Sequence, residues 1–105
     1  MPTDFQEKIY IFLRQVPKGK ITTYKALAKA ANTQAFRAVG TALNKNPYAP
    51  QTPCHRVINS DGKLGGFAHG PKAKIQRLKS EGVEVKEGKI INFKKVLFTN
   101  FSRKK

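Results

Sequence analysis

One short stretch of the chain combines residue types that can do nucleophilic chemistry, Pro53-Cys54-His55-Arg56-Val57. Cys54 is the only cysteine among 105 residues, so it cannot close an internal disulfide or supply half of a thiolate zinc cage. It is therefore either a buried small apolar residue or a reactive thiol. The thiolate is the reactive form, and adjacent basic groups favour it. Because His55 and Arg56 are such groups, the neighbours favour the reactive thiol.

The residues around this stretch predict a stiff turn. Pro53 fixes its own φ and pushes the preceding residue towards an extended conformation. Val57 and Ile58 are typical of a short apolar strand, and a strong turn signal follows at residues 59–62. Glycines then recur in residues 64–70, where they allow the backbone to approach something closely, for example a ligand.

Taken alone, the neighbouring candidates have ordinary explanations. His55 is equally compatible with a structural core histidine. Glu81 is one of only six acidic residues, yet the residues alone favour a surface carboxylate paired with Lys79 or Lys74. The residues themselves leave these alternatives open.

The charge is the strongest global signal. Twenty-one Lys and Arg against six Asp and Glu give a formal net charge of +15, and no acidic residue lies between Glu7 and Asp61. Such a field attracts polyanions, which predicts nucleic acid as the partner, with a solubilising surface as the alternative. No apolar run is long enough for a membrane span, and the N-terminus does not have the pattern of a signal peptide. We therefore expect an intracellular, monomeric protein of the cytoplasm or nucleoid.

The apolar periodicity predicts a single, mainly α domain with minor β structure. The first helix is capped by Thr3, and Pro17 and Gly19 end it. Two short helices, 24–31 and 34–44, resemble a helix-turn-helix, with Phe36, Val39, Gly40 and Leu43 expected to face inward. A fourth helix over 71–81 and a hairpin from Val83 to Phe98 complete a small, winged-helix-like fold, followed by a basic tail to residue 105.

Several stretches in order resemble one family: residues 16–24, Phe36-Arg37-Ala38-Val39-Gly40, Asn46-Pro47, the Cys54 motif and Ser80-Glu81-Gly82. Together they are similar to the C-terminal, DNA-binding and active-site domain of the O6-alkylguanine-DNA alkyltransferases, also called methylated-DNA–protein-cysteine methyltransferases. The resemblance covers roughly residues 3 to 85. It does not include the N-terminal α/β domain usual in that family.

The resemblance implies a direct repair reaction. Cys54 would accept the alkyl group from guanine O6 and be consumed in one turnover, as suits a soft, strong nucleophile. His55 would act as base through a water, and Glu81 would orient it. Tyr24 would donate to the leaving guanine, with core packing as its alternative. Asn46 would bridge the recognition helix to the active-site turn, although an ordinary C-cap explains it too.

The resemblance also implies DNA contacts and a base pocket. Arg37 would fill the gap left by a flipped base, with a plain phosphate contact as the alternative. A helix-turn-helix commonly reads the major groove, whereas the family enters the minor groove. The DNA-binding candidates are Arg37, Ala38, Gly40, Thr23, Lys45 and Arg56; the pocket candidates are Pro53, Val57, Phe67 and Ala68. Phe67 and Ala68 depart from the tyrosine and serine common in the family, which puts the substrate range in doubt.

Three functions therefore compete. The first is single-turnover alkyl transfer from double-stranded DNA containing O6-alkylguanine, without cofactor or metal. The second is a lesion sensor similar to the alkyltransferase-like proteins, which typically lack the cysteine. The third is a helix-turn-helix regulator with an incidental cysteine, in which His55 and Glu81 have no purpose.

Overall fold

The computed structural model describes residues 3–48, 52–65 and 70–101. Its N-terminal half is built from α1 (Asp4–Leu13), α2 (Tyr24–Ala30) and α3 (Phe36–Asn44). Thr3 closes a capping box with Gln6, since the Thr3 hydroxyl accepts from the Gln6 N–H at 3.1 Å and the Thr3 N–H donates to Gln6 Oε1 at 3.0 Å. These reciprocal bonds satisfy the free N–H groups at the start of α1 and set where the helix begins.

Helices α2 and α3 form the predicted helix-turn-helix. Thr23 caps α2, because its hydroxyl accepts from the Ala26 N–H at 3.0 Å. Asn32 adopts the left-handed conformation, with φ at 57°, and so ends the helix. Helix α3 begins two residues later than the predicted position 34, because the Ala35 N–H is held by the Thr33 hydroxyl in a turn of its own.

The buried face of α3 differs from the prediction. It centres on Val39, Ala42 and Leu43, all of which are buried. Phe36 is 51% exposed and Gly40 only partly covered, so the expectation that both face inward was wrong. At 100° per residue these two positions lie on the flank of the buried stripe rather than at its centre.

The second half is organised around a short parallel pair. A 3-10 turn, Cys54–Arg56, leads into β2 (Val57–Ile58), which pairs in parallel with β1 (Thr22–Thr23). Helix α4 (Pro71–Ser80) follows. The strands join the turn bearing Cys54 to the start of α2.

The predicted hairpin over residues 83–98 is shorter than expected. Only β3 (Val85–Lys86) and β4 (Lys89–Ile90) pair, antiparallel, and the chain then turns at Asn92 in the left-handed conformation. Residues Phe93–Val96 form a short helix, α5. Beyond it, Phe98 donates from its N–H to the Ile21 carbonyl at 2.7 Å, so this segment extends the edge beside β1. The predicted basic tail, 102–105, lies outside the described residues.

Two apolar clusters make up the core. The first gathers side chains of α1, α2 and α3 and includes Cys54 and Val57; the second includes Ile21, Ile58, Leu78 and Ile90. Because consecutive β2 residues enter different clusters, the strand is held from both sides, and so is the turn before it. Within the described ranges, no helix is long and apolar enough to cross a membrane.

Candidate active site

Cys54 opens the 3-10 turn and is nearly covered, with 8% of its surface exposed. Its N–H donates to the Thr52 carbonyl at 2.9 Å, and the Arg56 N–H donates to the Pro53 carbonyl at 2.9 Å. Pro53 is buried beside it. The stiff turn predicted from the prolines is therefore present, and it holds a free thiol at the edge of the first apolar cluster.

The parallel strand pair brings Tyr24 towards Cys54. Thr23 is in register with Ile58, so the first residue of α2 begins beside the strand that leaves the turn. Burial raises the pKa of the Tyr24 hydroxyl, and the nearby charge of Cys54 raises it further. Tyr24 therefore keeps its proton at neutral pH and can act as a donor.

Gly65 lies close to Tyr24 and Asn59. Its φ is 71°, and a Cβ there would lie 2.9 Å from Asn59 Oδ1 and 3.4 Å from Tyr24 Cε2. Only glycine fits this approach. The sequence predicted that glycines in this loop allow a close contact, and at Gly65 the partners are protein atoms.

A carboxylate at the end of α4 binds two consecutive residues of the Cys54 turn. His55 Nε2 lies 3.0 Å from Glu81 Oε2, while Arg56 donates from Nε to Oε1 at 2.8 Å and from Nη2 to Oε2 at 2.6 Å. Arg56 Nη1 also donates to the Val16 carbonyl at 2.7 Å. The carboxylate thus pairs with the turn, where the sequence alone allowed a surface pairing with lysine.

These bonds determine the tautomer of His55. A carboxylate only accepts, so Nε2 carries the proton and Nδ1 of the neutral ring is left with a lone pair. Nδ1 is buried and has no hydrogen-bond partner among the described residues. Burial lowers the pKa of His55, the hydrogen bond to Glu81 opposes that shift, and Arg56 adds to it. The ring is therefore a neutral base at pH 7.

The same contacts keep Glu81 ionised. Burial alone would raise its pKa, but hydrogen bonds from Arg56 and His55 outweigh burial and lower it. Its position at the C-terminal cap of α4 would by itself disfavour a negative charge, because the helix dipole is negative there. Arg56 supplies the compensating positive charge.

Sequence reasoning missed Lys74 as a site residue. Its side chain is fully buried, and Nζ donates to the Val57 carbonyl at 2.7 Å and to the Leu64 carbonyl. Burial lowers its pKa to about 8, against an opposing effect of Cys54. A signal existed: Lys74 lies four residues before the buried Leu78, on the apolar face of α4.

Asn46 connects α3 with the residues before Cys54. Its Nδ2 donates to the Thr52 carbonyl at 2.7 Å, and its Oδ1 accepts from the Tyr48 N–H at 2.9 Å. Arg14, which the sequence did not single out, donates from Nε to the Thr52 hydroxyl at 2.9 Å. Thr52 is thus held from α1 and from the end of α3. The part predicted for Asn46 in the reaction stays a prediction.

The residues predicted to contact DNA do not all lie together. Arg37, Ala38 and Lys45 are exposed on or just after α3. Gly40 is on the same helix, and a Cβ added there would have nothing within 4 Å. Thr23 is buried as the cap of α2, and the Arg56 guanidinium is engaged by Glu81 and Val16.

Of the pocket candidates, Val57 is buried in β2. Phe67 and Ala68 lie outside the described residues. Across the described ranges there is no cluster of three or more His, Cys, Asp or Glu that could hold a metal ion.

Comparison with known proteins gives the family. The model of the 6-O-methylguanine DNA methyltransferase DNA-binding domain matches residues 4–83. A methylated-DNA–protein-cysteine methyltransferase of Methanosarcina barkeri is 49% identical over 80 residues, 75% of this chain and 51% of that protein. A bifunctional methyltransferase/endonuclease of Picrophilus torridus is 41% identical over 99 residues, 93% of this chain and 33% of that protein. The chain therefore spans about half, or less, of the length of these relatives.

A solved structure is similar over almost its whole length. S. pombe Atl1, in complex with damaged DNA containing O6-carboxymethylguanine, has a TM-score of 0.80 and 30% identity, covering 93% of this chain and 98% of Atl1. The predicted small, mainly α fold with short strands is confirmed by this likeness. Because the family model matches most of this chain, the chain belongs to the family of O6-alkylguanine-DNA alkyltransferases and Atl1-like DNA-binding proteins.

Proposed function

We propose that this chain repairs DNA by transferring an alkyl group from guanine O6 to Cys54 in a single turnover. The observation that supports it most is the Cys54 turn itself, in which the only cysteine precedes a neutral, buried His55 oriented by Glu81. A nucleophile, a base and a group that orients the base are the parts that activated thiols use. A plain regulator has no use for this arrangement.

In the proposed reaction, His55 Nδ1 takes the thiol proton, directly or through a water. The Cys54 sulfur attacks the alkyl carbon in line, the carbon–O6 bond breaks, and its electron pair goes to the guanine ring. Tyr24 donates to that ring as negative charge develops on it, which lowers the barrier for a poor leaving group. Guanine gains one proton in place of the alkyl group, and this balances the proton that His55 took from the thiol and then gives up. The products are S-alkylcysteine and guanine, and the stable thioether makes the protein single-use.

The partner in this proposal is double-stranded DNA, bound by a monomer. The +15 charge supplies the attraction. The outer side of α3 supplies the surface, because Ala38 is exposed and Gly40 faces open space. Glycine in a helix interior costs roughly 0.5–1 kcal/mol relative to alanine, and no contact with the described residues requires it at Gly40. A close backbone approach by DNA would require it, with Arg37 filling the gap beside it.

A second candidate is lesion sensing without efficient transfer. It is favoured by one observation, the likeness to Atl1 over 98% of that chain. It is disfavoured by the free Cys54 next to a hydrogen-bonded His55–Glu81 pair.

Mass spectrometry after incubation with duplex DNA containing O6-methylguanine tests these candidates. We expect a single methyl adduct on Cys54 and none in the Cys54→Ser variant, which should keep its DNA affinity. Binding that prefers the lesion but leaves no adduct would favour the sensor. The absence of both an adduct and a binding preference for the lesion would refute both.

A further inference from the structure

Phe36 is an exposed aromatic side chain that belongs to neither of the two apolar clusters. It is 51% exposed, and with Ile11 at 43% it makes up the exposed large apolar residues of the described chain. A single exposed apolar residue is ordinary. The position of Phe36 is not, because it opens α3 and directly precedes Arg37.

Phe36 lines two open grooves. One has a volume of about 500 Å³ and is lined by Lys25, Lys29, Asn32, Thr33 and Gln34 in addition to Phe36. The other has a volume of about 620 Å³, and its remaining lining residues are Tyr24, Lys25, Asn59, Ser60 and Asp61. Phe36 therefore borders both a basic groove and a groove that reaches Tyr24.

Phe36 also shares a helix face with Gly40. Residues four apart on a helix lie one above the other. One turn along from the ring, the surface at Gly40 is thus open and lacks a side chain. This combination lets a duplex approach the helix closely while an apolar ring projects beside it, as in proteins that insert apolar wedges between base steps.

We propose, resting on the function proposed above, that Phe36 stacks on a nucleobase bordering the gap that forms when the damaged base leaves the duplex. The charge of the surroundings selects nucleic acid as the occupant. Lys25, Lys29 and Arg37 flank the ring, and the first turn of α3 contains no acidic residue. The one acid of the groove, Asp61, lies 4.0 Å from Lys63. Arg37 and Phe36 then divide the work, with Arg37 in the vacated position and Phe36 against a neighbouring base.

The test measures the affinity for lesion duplexes in a Cys54→Ser background, which keeps the complex from reacting. Base–aromatic stacking contributes about 1–3 kcal/mol, so Phe36→Ala should weaken binding about 5- to 150-fold. Ile11→Ala removes the other exposed apolar side chain, on α1, and should leave affinity unchanged. Phe36→Tyr, which keeps the ring, should restore it.

A second axis identifies the stacked base. The duplex is made in three versions, each with an abasic site at one candidate position: the 5′ neighbour, the 3′ neighbour or the base opposite the lesion. At the position that contacts Phe36, the abasic duplex should bind wild type and Phe36→Ala equally. An equal loss on every duplex, or no loss on any, would overturn the proposal. A difference in oligomeric state between wild type and Phe36→Ala in sedimentation would overturn it too, because the ring would then contact a second copy.

The proposed function can fail independently. Methyl transfer from free O6-methylguanine to Cys54 needs no duplex. A Phe36→Ala variant that retains Cys54 should therefore react with the free base like wild type. Absence of an adduct on Cys54 of the wild type after incubation with the lesion duplex would refute the repair function, while the affinity measurements would still decide the role of Phe36.

Discussion

Replacing Glu81 by glutamine tests the centre of the site. The carboxylate accepts three hydrogen bonds, two of them at Oε2 and one at Oε1, and its side chain is 11% exposed. An amide with its oxygen in the Oε2 position keeps the bonds from His55 and Arg56 Nη2. Its NH₂ then faces Arg56 Nε, so one bond is lost and two donors meet.

A hydrogen bond to a charged group contributes about 1.5–3 kcal/mol, so Glu81→Gln should lower the free energy of unfolding by about 2–3 kcal/mol. Chemical denaturation of both proteins at pH 7 measures it. Glu84→Gln is the matched control, since that carboxylate is exposed, and it should change stability by less than about 0.5 kcal/mol. Equal denaturation midpoints for wild type and Glu81→Gln would refute the reasoning.

The pH dependence adds a second check. Because the pKa of Glu81 is lowered in the folded state, its stabilisation is complete above its usual pKa and is lost as the pH falls through the folded value. Glutamine does not titrate, so the stability difference between the two proteins should shrink on acidification. Transfer by Glu81→Gln should be at least about tenfold slower at neutral pH, because the protonated His55 loses its countercharge. Wild-type transfer in this variant would leave Glu81 a purely structural role.

Three further predictions follow from other contacts. Gly40→Ala should raise the free energy of unfolding by up to about 1 kcal/mol yet weaken duplex binding, and stronger binding would contradict the close approach. Lys74 has a folded pKa of about 8, so folding releases its proton above that pH and stability should rise between about pH 8 and 10. Lys74→Met should lose this rise in pH-dependent denaturation, and an identical profile would place the ammonium in solvent. Arg37→Ala should slow transfer strongly from a paired duplex and little from the free base, whereas equal losses would mean that Arg37 supports the pocket.

The helices and the Cys54 turn were predictable because local chemistry sets them. Thr3 and Thr23 cap the helices that follow them, and Pro53 stiffens the approach to the turn. These signals act within four residues, so one sequence suffices. The sequence predicted the short strand Val57–Ile58 but not its parallel partner. Two-residue strands carry almost no periodicity, and the pairing of Thr22 with Val57 depends on the packing of both clusters.

Polar contacts across the fold were the hardest to predict. In a chain with 21 basic residues, Arg56 and Lys74 look like ordinary surface cations. In the structure, Arg56 instead binds Glu81, and Lys74 binds the Val57 carbonyl. A guanidinium has donors in a fixed fork that matches a carboxylate, which makes Arg56 the partner of Glu81 once α4 packs on the turn. No local pattern announces such a pairing, since the partners lie 25 residues apart.

This internal use of cations bears on how the basic surface is interpreted. Composition alone counts every lysine and arginine towards a DNA footprint, but a side chain buried against carbonyls or held by a carboxylate cannot release counterions from DNA. Arg56 is 14% exposed and Lys74 is fully buried. Lys25 and Lys45 are exposed. Replacing either by glutamine should therefore change the slope of log duplex affinity against log salt concentration. Replacing Arg56 should instead unfold the site first. In the proposed function, the cations that hold Cys54 in place and those that attract DNA are then separate sets, although composition does not distinguish them.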